Sequence, residues 1–226
     1  MTTILITGTG RGIGLELARQ ALAKGWTVYG SARSAVTDPD AHICHHPKFH
    51  DLVFDVTDHQ AVRAAAAQVS EPIDILINNA GIIGPERQST LDMDFDGFAK
   101  TLAVNTLAPL AVAQAFLPHL KRSSTPRILT ISSQMGRMSY AKSDHIAYRA
   151  SKAAVNKVMQ GLATDLKPMG IAVALVHPGW VRTDMGGEGA DIDAATSAGG
   201  ILALAEGLTL DGTGQFANWD GSAAEW

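Results

Sequence analysis

The sequence predicts an α/β fold, with a doubly wound parallel sheet of about seven strands and helices on both faces, as in a three-layer sandwich. Short and nearly continuous apolar runs alternate with helical stretches along the chain, at residues 4–6, 52–54, 73–77, 127–131 and 171–176. Strands buried on both faces need this composition, because an exposed face would introduce alternating polar residues. The 226 residues, of which 46% are hydrophobic, fit one domain covering residues 1–226.

A glycine-rich turn follows the first apolar run. Gly8, Gly12 and Gly14 lie in TGTGRGIG, between that strand and a helical pattern. Glycines let the backbone approach a pyrophosphate, and free N–H groups at the start of a helix favour negative charge. With a strand before it and a helix after it, the turn indicates a dinucleotide-binding fold of the Rossmann type, although a plain tight connection is the alternative. The other candidate contacts in this turn are Thr9, Arg11 and Ile13.

The residues after the second strand indicate which nicotinamide cofactor is bound. An acidic residue at that position usually holds the ribose 2′-hydroxyl of NAD. The segment VYGSAR instead ends in Arg33, and Arg11 lies in the glycine turn. A guanidinium can hold a 2′-phosphate through two hydrogen bonds, whereas a carboxylate would repel it. The sequence therefore favours NADP(H), unless both arginines are solvated surface charges.

Tyr148 and Lys152 are four residues apart, and a helix would bring both side chains to one face. Tyrosine ordinarily has a pKa of about 10 and is a poor acid or base at neutral pH. The neighbouring ammonium is expected to lower that pKa, so that the phenol can exchange a proton near neutral pH. The same spacing also arises when a packed ring and a solvated amine share a helix by chance.

Further polar or glycine-containing motifs follow the remaining predicted strands, with Ser133 after the strand at residues 127–131 and Asn105 in a helical stretch. The other members are Asp55, Val56, Asn79, Ala80, Gly81, Pro178, Gly179, Val181 and Thr183. In content and order these motifs resemble those of the short-chain dehydrogenase/reductase family, across nearly the whole chain. YRASKAAVN, HPGWVRTDMGG and the ending GQFANWDG are similar to the C-factor and sniffer-type carbonyl reductases.

This resemblance implies an NADP(H)-dependent oxidoreductase that transfers hydride between the nicotinamide and a carbonyl or alcohol of a small molecule. It implies that Tyr148 donates a proton to the carbonyl oxygen, which Ser133 also hydrogen-bonds. Lys152 would hold the nicotinamide ribose, and Asn105 would support Lys152 through a water. The expected cofactor contacts are Gly8, Thr9, Arg11, Gly12, Ile13, Arg33, Asp55, Val56, Asn79, Ala80, Gly81, Tyr148, Lys152, Pro178, Gly179, Val181 and Thr183.

Three alternatives stay open. Ser133 lies 15 residues before Tyr148, slightly more than is usual in the family, so Ser132 is the alternative position for the serine. The chain could also be an NADP-binding signalling or redox-sensing protein with little turnover, although the intact Ser133, Tyr148 and Lys152 argue against this. An epimerase or dehydratase is a third class, but such relatives generally carry a larger carboxyl-terminal substrate region.

Charge and composition disfavour several other classes. The formal net charge of −4 argues against nucleic acid or an anionic membrane as a partner. The single cysteine excludes an internal disulfide. No apolar run approaches the ~18 residues of a membrane span, and the amino terminus leads directly into the first strand. We therefore expect a cytoplasmic protein that binds neither nucleic acid nor membrane.

A histidine-bearing segment at residues 34–50 connects the second and third strands. Its potential ligands are His42, Cys44, His45, His46 and His50. No second cluster has metal-ligand spacing, so a surface loop is predicted rather than a metal site. The next helix is predicted to open with a capping box at residues 57–60, TDHQ, and to continue through residue 69.

A helical stretch between Asp92 and Leu120 is apolar around more than one face and is interrupted by Pro109 and Pro118. Such a helix is usually buried. By the family resemblance, it packs with the Tyr148 helix across a homodimer or tetramer, unless the monomer covers these faces itself.

Glycines at residues 186–189 predict a loop that acts as a lid over the site. The tail residues Phe216, Trp219 and Trp226 are expected near this lid. The candidates for the apolar wall of the substrate pocket are Met138, Tyr140, Trp180 and Met185.

Overall fold

The computed structural model describes residues 2–35 and 42–226. Its strands are β1 (Thr3–Thr7), β2 (Thr27–Ala32), β3 (Phe49–Val53), β4 (Ile75–Asn78), β5 (Gln88–Ser89), β6 (Asp92–Met93), β7 (Arg127–Ile131), β8 (Ala172–His177) and β9 (Phe216–Asn218). Seven of them form a parallel sheet in the order β3-β2-β1-β4-β7-β8-β9, and β5 and β6 form a separate antiparallel hairpin. The predicted doubly wound α/β fold is confirmed.

The helices form a layer on each face of the sheet. They are α1 (Gly12–Ala23), α2 (His59–Ala66), α3 (Phe95–Leu102), α4 (Ala108–Leu120), α5 (Ile146–Leu166) and α6 (Ala194–Gly207). One core cluster joins β1 to α1 and α6, and a second joins β1 to α2, α4 and α5. In β1, Ile4 and Ile6 belong to the first cluster and Leu5 to the second. This burial on both faces explains why the strand sequences are continuously apolar.

The stretch Phe95–Leu120 is long and apolar enough, by length and composition, to span a membrane. The prediction that no segment reaches this length is therefore wrong. Half of the apolar window is buried inside the protein, where Val112, Phe116 and Leu120 pack in the core beside the sheet. A core helix that contacts a sheet needs the same composition, so the length and composition of this stretch do not by themselves indicate a membrane segment.

The two prolines do not interrupt this stretch as predicted. Pro109 lies in the first turn of α4, directly after a π-helical turn, and Pro118 lies in the last turn. The irregularity lies instead at Ala103–Leu107, a π-helical turn between α3 and α4. Such turns occur often at functional sites.

The start of α2 also differs from the prediction. Asp58 is the N-cap, and its carboxylate accepts hydrogen bonds from the N–H groups of Gln60 and Ala61. The Thr57 hydroxyl instead donates to the Asp55 carboxylate. The helix then ends at Ala66 rather than at residue 69.

Part of the histidine-bearing segment, residues 36–41 together with the side chain of His42, lies outside the described residues. The remainder is not simply a surface loop. His42–His45 form a short 3-10 turn, Ile43 joins the core, and the His50 ring stacks on Tyr29. Among residues 2–35 and 42–226, no group of three or more His, Cys, Asp or Glu side chains could hold a metal ion.

Candidate active site

The predicted site residues gather at one edge of the sheet. The strands β1, β2, β3, β4, β7 and β8 are parallel, so their carboxyl ends face the same side. The glycine turn follows β1, Asn79 follows β4, Ser133 follows β7 and Pro178 follows β8. Ligands of open parallel sheets bind in the crevice at this edge.

The glycine turn is held in a conformation that other residues would not allow. Gly8 and Gly12 have φ angles of +78° and +55°. A Cβ atom on Gly14 would lie only 2.1 Å from the Gly8 carbonyl oxygen. The Asn79 amide donates to the carbonyls of Thr7 (2.9 Å) and Gly8 (3.1 Å), which fixes the turn against the end of β4.

This turn fits the diphosphate of a dinucleotide. Arg11 is the N-cap of α1 and makes no side-chain capping hydrogen bond, so no cap side chain competes with an anion at the helix start. Ile13 lies partly exposed in the first turn of α1. Thr9 is different, because it is fully buried and both its N–H and its hydroxyl donate to the Ser31 carbonyl. The Thr9 side chain thus shapes the turn, and its contact with the cofactor stays a prediction.

The two arginines that favour NADP(H) differ in their surroundings. Arg11 forms an ion pair with Asp184, a residue that the sequence did not single out. Arg33 is exposed at the end of β2. Hydrogen bonds from Thr57 hold the pKa of Asp55 below its ordinary value, and the positive charge of Arg33 adds to this effect. Arg33 and Asp55 therefore lie near one another at the same edge, with Val56 partly buried beside them.

Ser133, Tyr148 and Lys152 come together as predicted. Tyr148 and Lys152 lie one turn apart on α5, with the Lys152 Nζ atom 5.6 Å from the centre of the Tyr148 ring. The Ser133 hydroxyl hydrogen-bonds the phenol and lowers its pKa. Lys152 donates to the Ile131 carbonyl at 2.8 Å, and a Cβ on Gly81 would lie 3.9 Å from its Nζ atom.

The pKa values of the two ionisable groups are set by burial. Burial raises the pKa of the Tyr148 phenol to about 12, and the hydrogen bond with Ser133 opposes this only in part. Burial also lowers the pKa of Lys152 to about 8. The prediction that the ammonium brings the pKa of Tyr148 below its ordinary value is therefore wrong for the protein alone. Loss of hydration dominates the pKa of the phenol.

The structure distinguishes the two serines after β7. The Ser132 hydroxyl is buried and donates to the Asn156 side chain, on the face of the sheet that α5 covers. Ser133 caps the short turn Gln134–Gly136, accepts from the Met135 N–H and reaches Tyr148. This geometry favours Ser133 over Ser132 as the serine of the site.

Asn105 lies in the π-helical turn and is buried. Its amide nitrogen donates to the Ile82 carbonyl (2.8 Å) and to the Ser151 hydroxyl (3.0 Å), and its oxygen accepts from the Ile82 N–H (2.9 Å). The amide nitrogen has no hydrogen left for a water. Support of Lys152 by Asn105 through a water stays a prediction. Such a water would have to donate a hydrogen bond to an oxygen atom of Asn105.

The segment after β8 forms a compact loop against the glycine turn. Val181 is buried and pairs with Ile192, while the Trp180 indole donates to the Gly186 carbonyl at 2.8 Å. A Cβ on Gly12 would lie 3.3 Å from the Thr183 methyl carbon. The loop predicted as a lid therefore lies next to the proposed diphosphate position.

The tail residues divide between two places. Trp219 packs on Gly179 at the base of the loop, because a Cβ on Gly179 would lie 3.0 Å from its ring. Phe216 and Trp226 instead contact each other, with ring centres 5.7 Å apart, and Phe216 belongs to a core cluster with residues of α5. Packing of the tail against residues 186–189 therefore stays a prediction.

The candidates for the apolar wall are exposed on two loops. Met138, Trp180 and Met185 are all exposed, and their place in the wall of a substrate pocket stays a prediction. Tyr140 is surrounded by cations, with Arg137, Lys142 and Arg149 all within 6 Å of its ring centre, so it is not a purely apolar surface.

Sequence reasoning did not single out several residues around the site. Gln88 accepts a hydrogen bond from the Tyr148 N–H, Arg149 binds Asp144 in the preceding loop, and Asp184 pairs with Arg11. Arg149 and Asp184 lie within YRASKAAVN and HPGWVRTDMGG, but those motifs do not indicate these contacts, and Gln88 belongs to no motif. His177, at the end of β8, is buried and its pKa is lowered to about 4, mainly by burial and also by Arg137, so it adds no charge at neutral pH.

With this geometry established, comparison with known proteins defines the class. A family model described as short chain dehydrogenase matches residues 2–191. The chain belongs to this family, and the resemblance seen in the sequence is confirmed. Its strand order and its glycine turn agree with the Rossmann-like fold of the class.

Particular relatives narrow the likeness. C-signal of Myxococcus xanthus is 40% identical over 168 residues, which are 73% of this chain and all of that protein. The NADPH-bound carbonyl reductase from chicken fatty liver has a TM-score of 0.92 and 31% identity, covering 100% of this chain and 99% of that one. Carbonyl reductase Sniffer of D. melanogaster has the same TM-score and identity, with both chains fully covered.

Proposed function

We propose that this protein is an NADP(H)-dependent carbonyl reductase that acts on a carbonyl or alcohol group of a small molecule. The observation that carries the proposal is the convergence of Ser133, Tyr148 and Lys152 at the crevice beside Gly81. The likeness to solved carbonyl reductases, one of them with NADPH bound, supports it.

Each group at this site has a chemical role in the proposal. Tyr148 remains protonated at neutral pH because its pKa is raised to about 12, so it can donate its proton to a carbonyl oxygen. Ser133 donates a hydrogen bond to the same oxygen as negative charge develops there, which contributes ~10²–10³ in rate for a donor of this kind. Lys152, with a pKa lowered to about 8, can return a proton to the phenol after each turnover. When bound, NADPH supplies the hydride.

The cofactor contacts are proposed on the same basis. Gly8, Gly12 and the N-terminus of α1 would hold the diphosphate, with Thr183 beside them. Arg33 and Arg11 would hold the 2′-phosphate, since no acidic residue occupies the end of β2. Ordinary surface arginines would make this preference for NADP(H) small or absent.

The test is turnover by the purified full chain. We expect NADPH oxidation with members of a panel of aldehydes, ketones and quinones. Tyr148→Phe should lower kcat/KM by ~10²–10⁴ because the proton donor is removed, while NADPH binding by fluorescence titration stays within about twofold. Equal turnover by the wild type and the variant would refute the assigned acid.

A second candidate function has one observation in its favour. The similarity to C-signal supports an NADP-binding signalling or redox-sensing protein with little turnover. This candidate predicts NADPH binding with no oxidation across the whole panel, so the same experiment separates the two functions.

Assembly and location also remain proposals. A homodimer or tetramer that pairs α4 and α5 would cover Leu107, which is 53% exposed just before α4. Light scattering at micromolar concentration tests this, since a monomer would show that the chain covers these faces itself. A cytoplasmic location remains a proposal from composition.

A further inference from the structure

We propose that Gln88, which belongs to none of the motifs above, is a positioning residue for Tyr148. Its buried amide holds the backbone N–H of Tyr148 and ties the start of α5 to the segment that follows Asn79–Gly81. The inference rests on the proposed function, because positioning matters only if Tyr148 is the proton donor.

The first turn of α5 has no cap from its own sequence. The N-cap is His145, whose φ of 52° is the only positive value among the non-glycine residues that the structure describes. His145 makes no side-chain capping hydrogen bond. An N-cap side chain normally accepts from the second or third N–H group of the helix. Here the third, that of Tyr148, donates instead to the Gln88 Oε1 atom at 3.1 Å, across 60 positions of sequence.

The orientation of the Gln88 amide is fixed by its other contacts. Its nitrogen donates to the carbonyls of Ile83 (3.2 Å) and Pro85 (2.8 Å), and the side chain is buried. Both N–H groups are therefore engaged, and only the oxygen can face α5. A glutamine held in this way is a directed acceptor rather than a polar group that happens to lie near the helix.

The same segment also holds the other end of the Tyr148 backbone. The Tyr148 carbonyl accepts from the Ser151 hydroxyl at 2.7 Å, and that hydroxyl accepts from Asn105 at 3.0 Å. Asn105 in turn makes two hydrogen bonds with the backbone of Ile82. A closed circuit of hydrogen bonds therefore runs from the Tyr148 N–H through Gln88 and residues 82–85 to Asn105, Ser151 and the Tyr148 carbonyl.

This circuit joins the start of α5, which carries Tyr148, to the segment that follows β4. The segment at residues 82–88 continues directly from Gly81, which lies against Lys152. Gln88 thus sets the position of the phenol relative to the strand end at which the nicotinamide is proposed to lie. Displacement of a catalytic group by about 1 Å can lower a rate by ~10²-fold.

The experiment compares Gln88→Met, which has a similar length but no acceptor, with the wild type. We expect kcat to fall by ~10–100-fold, with KM for NADPH within about twofold. In alcohol oxidation, the pH at half-maximal kcat should rise. A loosened first turn would weaken the hydrogen bond with Ser133, which lowers the pKa of the phenol.

Gln20→Met is the matched control. Gln20 donates to the Ala195 carbonyl at 2.9 Å and thus also joins two elements, but it lies away from α5. This variant should keep both kcat and the pH midpoint. A loss of folded protein alone would lower the activity of Gln88→Met without moving its pH midpoint, and that result would overturn the proposal.

Two further measurements keep the inference testable. Gln88→Glu keeps an acceptor for the Tyr148 N–H but loses the donors to the Ile83 and Pro85 carbonyls, so it should also lower kcat, and its added negative charge should raise the pH midpoint. Deuterium exchange of the Tyr148 amide needs no turnover and should be faster in Gln88→Met than in the wild type. Unchanged exchange would refute the role of Gln88. A wild type without turnover would refute only the proposed function.

Discussion

The glycine turn and the first turn of α5 both begin a helix at the edge of the sheet, but they are held in different ways. Gly8 and Gly12 shape the first through their positive φ angles, and Gly14 shapes it through its close approach to the Gly8 carbonyl, six positions away. The first turn of α5 begins at a left-handed His145, has no local cap and depends on Gln88, which is 60 positions away from Tyr148. Local backbone constraints leave a sequence motif, whereas long-range side-chain contacts do not.

The two regions differ as well in what their charges can do. Arg11 and Asp184 each have 73% of the side chain exposed, so water weakens their attraction. Lys152 is 5% exposed, and burial alone lowers its pKa to about 8. Charged groups near the glycine turn should therefore tune affinity modestly, whereas those near Tyr148 should control both chemistry and stability.

The sharpest test of the catalytic side compares the two adjacent serines. Ser133→Ala should lower kcat by ~10²–10³, because a donor to the developing oxyanion is lost. Ser132→Ala should instead reduce the free energy of unfolding by about 1–3 kcal/mol, because it leaves the buried Asn156 oxygen without a donor. Steady-state kinetics and urea unfolding of both variants check this, and a loss of kcat confined to Ser132→Ala would reverse the assignment.

On the cofactor side, the test is a substitution of Gly14 in α1, and Gly161 in α5 is its control. Gly14→Ala would place its methyl group against the Gly8 carbonyl, so we expect a loss of about 1–3 kcal/mol of stability together with weaker NADPH binding. Gly161→Ala, on α5, meets no atom within 4 Å and should gain about 0.5–1 kcal/mol. Urea unfolding and fluorescence titration measure the two effects, and equal stabilities would contradict the tight turn.

The buried lysine makes a prediction about pH. The pKa of Lys152 is about 8 in the folded protein, below its ordinary value of 10.5, so the unfolded chain binds more protons between these values. Stability from this group is present above pH 10.5 and is lost as pH falls through 8. Relative to Lys152→Met, the wild type should gain about 1–2 kcal/mol from pH 7.5 to 9.5.

Urea unfolding of the wild type and of Lys152→Met at each pH measures the gain. The difference between the two free energies of unfolding removes the contribution of all other titrating groups, which both proteins share. Tyr148 acts in the opposite direction, because its pKa is raised to about 12 and its contribution is lost only above its ordinary value of 10.0. A constant difference between the two proteins would show that Lys152 is hydrated.

The smallest effect is expected at the exposed ion pair. Asp184→Asn removes the acid that competes for Arg11, so NADP should bind a few-fold more tightly, in keeping with the ~0.2–1 kcal/mol of surface pairs. NAD lacks the 2′-phosphate, so its affinity should stay unchanged. Titration of both cofactors decides this, and a parallel change for NAD would mean that Arg11 does not contact the 2′-phosphate.

Much of the fold and part of the site were predictable. Continuous apolar runs identified strands of the parallel sheet, and β7 has the predicted bounds, Arg127–Ile131. The sequence predicted an interruption at Pro109 and Pro118, and it missed the π-helical turn at Ala103–Leu107, which lies directly before Pro109. It also misjudged the pKa of Tyr148, since spacing shows that a cation is near but not how much water the fold excludes.

The local sequence determined the glycine turn and the pairing of Tyr148 with Lys152, because each depends on residues close in sequence. The order of the motifs along the chain determined the family. Tertiary structure alone decided that Ser133 rather than Ser132 reaches the phenol, that Asp184 binds Arg11, and that Gln88 caps α5. These contacts join residues that are distant in sequence, and burial and direction follow only from the packing of whole elements.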